Sequence, residues 1–285
     1  MKSRAVKVAA IWAAFFLVWE GAYRIVGWKP WLFPAPSHVL DATLDMLNVA
    51  TAFGEPLHDG WPWRRMGAAP SSAPAKTPIL GSPLPSAILV SGMRLVIGFV
   101  ISLLLGGVLG LLMWRYKFVN SLFGPVFLGL QTLPSVCWVP LAVLTLGITE
   151  ASIVFVLIMG SFFAIAIALR DGLHQIPPIY KRAALMLGAR HWNLYRYVML
   201  PAGLPATAAS LRQGFSFAWR SLMGGELVFM LQRRGLGFLL NVGRDFSDIA
   251  QVIAIMAVMV LIGTLMDRLV FARIEARVRK QFGLA

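Results

Sequence analysis

The sequence predicts an all-α polytopic membrane protein, with about six transmembrane helices and a helical loop on the cytoplasmic side. Three observations carry this. Of 285 residues, 58% are hydrophobic and 13% charged, where a soluble domain carries roughly 25% charged residues. Several charge-free runs approach or exceed the roughly 20 helical residues that cross about 30 Å of hydrocarbon. The 26 basic residues, against 12 acidic for a net charge of +14, fall mainly in alternate connections. A single cysteine, Cys137, excludes a disulfide framework, a paired-cysteine redox site and a thiolate metal cluster.

The first span runs from Val8 through Trp19 and past Glu20 and Arg24 to about Trp28. Lys2, Arg4 and Lys7 precede it as in a signal peptide, but no small-x-small cleavage site follows Trp19, so it reads as a retained helix. The second span is Leu95 to Trp114. The third lies in the 32-residue run Phe118 to Thr149, too short for two crossings. Pro125, Pro134 and Pro140 make it bent or broken, since proline removes a backbone donor. Ala151 to Leu169 is the fourth, Leu204 to about Met230 the fifth, and Ile249 to Met266 the sixth. With both termini inside, inner segments hold 15 Lys and Arg and outer segments 8, which is the cytoplasmic bias expected of a membrane protein. The charge therefore reads as topology and contact with anionic lipid, not as a nucleic-acid footprint.

Between the first two spans, Ser37 can cap a short surface helix with Val39, Leu40, Thr43, Leu44 and Leu47 on one face. Residues 56–85 then hold 7 of the 17 prolines, a linker composition. Between the fourth and fifth spans, Pro177 and Pro178 suit a helix start, Ile179 to Leu187 reads as a short helix, and Gly188 is a natural stop. A second short helix, His191 to Leu200, is expected to end at Pro201. Ala183, Ala184 and Gly188 put small residues on one side of this knob, where another backbone or groove could approach.

Arg182-Ala183-Ala184, three residues, Gly188, nine residues and then Val198-Met199-Leu200-Pro201 resembles the cytoplasmic signature of the inner-membrane permeases of bacterial ATP-binding-cassette importers. Arg182 stands where that family has Glu, and Val198 where it has Ile. Pro34-Ala35-Pro36-Ser37, Leu133 to Leu141, Leu146 to Ala151 and Phe217 to Leu227 resemble the nitrate/sulfonate/taurine (bicarbonate) branch. The resemblance implies a type I importer permease in the bacterial inner membrane, with N- and C-termini cytoplasmic. It implies residues 1–28 as first helix, 29–85 as extracytoplasmic helix and linker, 86–270 as the permease core with coupling loop 170–203, and 271–285 as a basic tail. It implies partners: a second permease copy, two ATPase subunits docked on Arg182, Ala183, Ala184, Gly188, Leu200 and Pro201, and an extracytoplasmic solute-binding protein. ATP and Mg would sit on the ATPase. This chain has no GxxxxGK[ST] phosphate loop, and no nucleophile, base and orienting group converge, so no enzyme is expected.

Charges within spans are costly and functional by default. Arg94, Arg220 and Glu226 qualify. An arginine facing the pathway would attract an anionic solute, whereas Glu226 reads as the structural partner of an arginine. Residues 220 and 226 lie about 240° apart round a helix, so they should not pair with each other unless Gly224-Gly225 breaks it. Gly106, Gly107 and Gly110 read as a close-packing face. Four scattered histidines show no metal-ligand spacing. A secondary transporter or channel driven by an ion gradient is the alternative, with the three intramembrane charges as its coupling groups, but it has no use for the knob.

Overall fold

The computed structural model describes residues 2–29, 33–47, 83–229 and 234–281, and these form helices and turns with no strand. In chain order they are α1 (Lys2–Val26), α2 (Pro36–Met46), α3 (Pro83–Arg115), α4 (Lys117–Gln131), a 3-10 turn (Ser135–Trp138), α5 (Val139–Leu146), α6 (Glu150–His174), α7 (Pro178–Met186), α8 (His191–Leu194), a π turn (Tyr195–Met199), α9 (Leu200–Val228), α10 (Leu236–Asp245), α11 (Ile249–Met266), a second π turn (Asp267–Phe271) and α12 (Ala272–Gln281). Among them α3, α6 and the α11–α12 rod are long and apolar enough to cross a membrane, and the α4–α5 pair, bent by 106°, is a fourth candidate. The helices α1 and α9, 25 and 29 residues long, occupy the two remaining expected spans and carry charges within them. The third span is broken as its prolines require, and α11 keeps the expected limits. Residues 56–82 of the Pro-rich linker, with Arg64, Arg65 and Lys76, and Arg233 lie outside the described residues, whereas Pro83, Leu84 and Pro85, expected in the linker, open α3.

Two compact units can be told apart. The first comprises residues 1–90 and 232–260. In it Glu20 of α1 pairs with Arg24 at 2.9 Å and accepts hydrogen bonds from the hydroxyl and backbone N–H of Ser37. Ser37 is thus not the cap of α2. Ala35 holds the N-cap position and Pro36 the first turn, where the missing N–H costs nothing. The face that α2 buries is Asp41, Ala42 and Met46, with Leu40 exposed, not the expected row of Val39, Leu40, Thr43, Leu44 and Leu47. A tight hairpin joins α10 to α11: a Cβ on Gly243 would lie 3.0 Å from Val252, and the Gln251 amide donates to the Leu239 carbonyl at 2.9 Å.

The second unit, residues 91–231 and 261–285, is built on α6. Gly98, Ser102, Gly106 and Gly110 recur every four residues along one face of α3. A Cβ at 106 would meet the Phe162 carbonyl oxygen at 2.6 Å, and one at 110 the Ala166 oxygen at 2.8 Å. Ser161 donates to Ser102 across the same contact at 2.8 Å. Gly107 meets nothing within 4 Å, so the packing face is 106 and 110 without 107. On the other side, Gly203, Gly214 and Gly225 of α9 lie against Leu173, Ile165 and Ile153 of α6. Small residues let backbones approach where the solvent for the helices is itself apolar. Met113, Phe127, Phe163, Ala166 and Ile167 form a core joining α3, α4 and α6.

Two elements differ from the sequence reading. The knob's second helix does not stop at Pro201, because α8 passes through the π turn Tyr195–Met199 into α9. A proline ring clashes with the carbonyl four residues back, and a π turn before it widens the helix at that point. Likewise Gly224-Gly225 does not break α9, which is helical to Val228.

Candidate functional site

The knob starts with Pro177 at the N-cap of α7 and Pro178 at its first position. It stops at Gly188, whose φ is +85°. There the Ala189 N–H donates to the Ala184 carbonyl at 3.0 Å and the Gly188 N–H to the Leu185 carbonyl at 3.1 Å, the paired bonds of a left-handed helix stop. Arg182, Ala183 and Gly188 are exposed, but Ala184 is 5% exposed and packs inward. Ala184 therefore does not lie on an exposed small-residue face with Ala183 and Gly188. What faces outward instead is apolar and large: Ile179, Met186, Leu187 and Trp192, with Met186 and Leu187 85% and 88% exposed. Leu200 and Pro201 open α9 rather than close the knob.

The intramembrane charges divide. Arg94 is 5% exposed and Glu226 1%. The Arg94 guanidinium donates through Nη1 to Glu226 at 2.7 Å, and through Nε and Nη2 to both oxygens of Glu150 at 2.7 and 2.8 Å. The Ser91 hydroxyl, one turn away on α3, donates to Glu226 at 2.8 Å. Glu226 thus finds its arginine, and the cluster ties α3, α6 and α9 together. Sequence reasoning missed Glu150 and Ser91. Their signals were an acidic residue in the first turn after Thr149, where the helix dipole favours it, and a hydroxyl three residues before a buried arginine. Arg212, one of the two arginines of α9, donates to Asp267 at 2.7 and 2.8 Å and to Glu275 at 3.1 Å.

Arg220 is different. It is exposed, its Nε donates to the Ser216 carbonyl one turn back at 3.1 Å, and its guanidinium carbon lies 4.7 Å from the Phe217 ring centre. Among the described residues no carboxylate pairs with it, and its own helix holds the guanidinium through Ser216 and Phe217. One turn further along α9, a Cβ on Gly224 would meet Val136 at 3.3 Å and Ser135 at 3.5 Å. The broken span α4–α5, with Thr132, Val136 and Cys137 exposed, therefore lies against the same helix. No three His, Cys, Asp or Glu side chains among the described residues come together to hold a metal.

Helices long and apolar enough to cross a membrane, an exposed helical knob between two of the long helices, and an exposed arginine with no carboxylate partner among the described residues suit the membrane component of a transporter. The chain belongs to the family of binding-protein-dependent transport system inner membrane components, whose model matches residues 81–280. It is 33% identical over 180 residues to a protein of Methanocaldococcus jannaschii named as an ABC transporter permease, covering 63% of this chain and 67% of that one. It is 28% identical over 174 residues to the taurine transport system permease protein of Escherichia coli (61% and 62% of the two chains). It is 27% identical over 177 residues to the nitrate import permease protein of Synechocystis (62% and 64%). The chain is an importer permease, and the secondary-transporter alternative falls. Two of its three supposed coupling charges, Arg94 and Glu226, are in any case spent on each other.

Proposed function

We propose that the chain carries a small anion, of the nitrate, sulfonate or taurine kind, through the bacterial inner membrane. The observation that carries this is the exposed Arg220 guanidinium, which no carboxylate among the described residues pairs, in the helix read as the fifth span. A planar fork without a carboxylate partner suits the oxygens of a small anion. In this reading two copies of the chain form the pathway, both termini are cytoplasmic, and an extracytoplasmic binding protein delivers the solute. Two ATPase subunits, carrying ATP and Mg, dock on the knobs at Arg182, Ala183, Gly188 and the exposed Ile179, Met186, Leu187 and Trp192. ATP-driven closure of the ATPase pair moves the knobs, and with them α9 and Arg220, because α8 and α9 are continuous. Arg94 and Glu226 hold the helices in register rather than touch solute.

The test is uptake of radiolabelled nitrate, taurine and bicarbonate by the reconstituted complex. Arg220→Gln should lower uptake at least tenfold with assembly intact, and Arg220→Lys should keep part of it, because charge survives while the fork is lost. Normal uptake by assembled Arg220→Gln would remove the pathway role.

A further inference from the structure

Tyr195 opens the π turn that joins the knob to α9. The edge of Trp114, at the end of α3, meets its ring with centroids 6.0 Å apart and planes at 85°. The guanidinium carbon of Arg115, the last residue of α3, lies 5.3 Å from the Tyr195 ring centre and 5.0 Å from that of Tyr116. One cation is therefore shared between a ring at the end of α3 and a ring of the knob, an attraction that works through the negative face of each ring. The place has mechanical consequence. Residues 191–228 run as one helical rod through the π turn, and α3 is packed backbone-to-backbone on α6 at Gly106 and Gly110. A grip between Arg115 and Tyr195 closes a bracket whose other sides are the α3–α6 and α6–α9 contacts.

We propose that Arg115 is a positioning residue. Wedged between Tyr116 and Tyr195, it fastens the docking knob to the C-terminal end of α3, so that a push on the knob moves α3 together with α9. This rests on reading the knob as the ATPase docking site, although the clasp itself can be tested apart from that reading.

The test is a distance measurement by pulsed electron paramagnetic resonance on the full chain in lipid nanodiscs. Spin labels go at Leu112 and Asn193 in a Cys137→Ser background. The parent distribution should be dominated by one distance. Arg115→Gln and Tyr195→Leu should each raise the share of a longer distance roughly two- to fivefold, the factor by which an exposed cation–π contact favours its closed form. Tyr195→Phe keeps the ring and should restore the parent distribution, which a loss of packing at the hydroxyl would not allow. A parent-like distribution in Tyr195→Leu would overturn the clasp. With ATPase bound and trapped by ADP and vanadate, the parent distance should stay constant while that of Tyr195→Leu shifts. An ATPase that does not bind the parent chain would sink the docking reading, and the nucleotide-free distances would still decide the clasp.

Discussion

Arg94 shows what a buried charge asks of its neighbours. Taking ions out of water costs several kcal/mol each, and their mutual attraction offsets this only when the geometry is good and hydrogen bonds fill the remaining positions. Arg94 meets that condition with three nitrogens on two carboxylates and Ser91 on the second of them. Arg94→Ala leaves the Glu226 carboxylate buried without the guanidinium, and should destabilise by about 3–5 kcal/mol. Glu226→Gln should cost less, since its amide oxygen still accepts from Ser91 and Arg94 keeps Glu150. Thermal unfolding in detergent, followed by tryptophan fluorescence, checks the order, and equal losses would contradict it. Gly188 is governed by backbone instead. A Cβ there meets nothing within 4 Å, but φ is +85°, where an L-residue costs roughly 1–2 kcal/mol. Gly188→Asn, which tolerates the left-handed region, should keep ATPase retention on co-purification. Gly188→Val should lose it, through a reshaped knob rather than a clash. Equal retention by both would mean that the turn does not set the docking surface.

At the scale of elements, the glycines of α3 give a paired experiment. Gly106→Ala puts a methyl 2.6 Å from a backbone oxygen of α6, while Gly107→Ala meets open space. Overpacking typically costs roughly 1–3 kcal/mol, so Gly106→Ala should lower the melting temperature clearly and Gly107→Ala hardly at all, since substitutions away from such contacts stay within about 0.5 kcal/mol. That small residues mark a helix contact was legible in the sequence. Which of three neighbouring glycines made it was not, because 100° of helix phase separates 106 from 107 and no apolar stripe orients an all-apolar helix. The helices, the break in the third span and the Gly188 stop were legible for the same reason: charge, proline and glycine act locally. The π turns were not, since an i→i+5 bond leaves no mark in composition. The second of them has a visible effect. Asp267 and Glu275 are eight apart, about 80° round a regular helix, and one residue absorbed by the π turn brings them within roughly 20° of each other. Both then reach Arg212. The inward packing of Ala184 was not legible, because the family pattern gives spacing, not the inward or outward sense of each residue.

At the scale of the whole chain, the open choice is whether the bent α4–α5 pair crosses the membrane or turns back. The basic residues do not decide it. A crossing with the N-terminus inside leaves 15 Lys and Arg within and 8 without, and a re-entrant pair with the N-terminus outside gives the same division. Both put the knob inside. They differ in the end of α3. A crossing puts Lys117 on the knob's side, and a re-entrant loop puts it on the other. The packing favours a crossing. Trp114 and Arg115 touch Tyr195 of the knob, and residues in contact outside the hydrocarbon lie on one face of the bilayer. Between them the chain must cross an even number of times. With α6, long and apolar enough to be one crossing, the α4–α5 pair, bent by 106°, is expected to be the other. Single cysteines at 117, 190 and 244 in a Cys137→Ser background test this with a membrane-impermeant thiol reagent, all three native residues being exposed. Positions 117 and 190 should label from one side and 244 from the other, with a cysteine at 65 expected to follow 244. Labelling of 117 together with 244 would make the pair re-entrant, reduce the crossings to five and place the two termini on opposite faces.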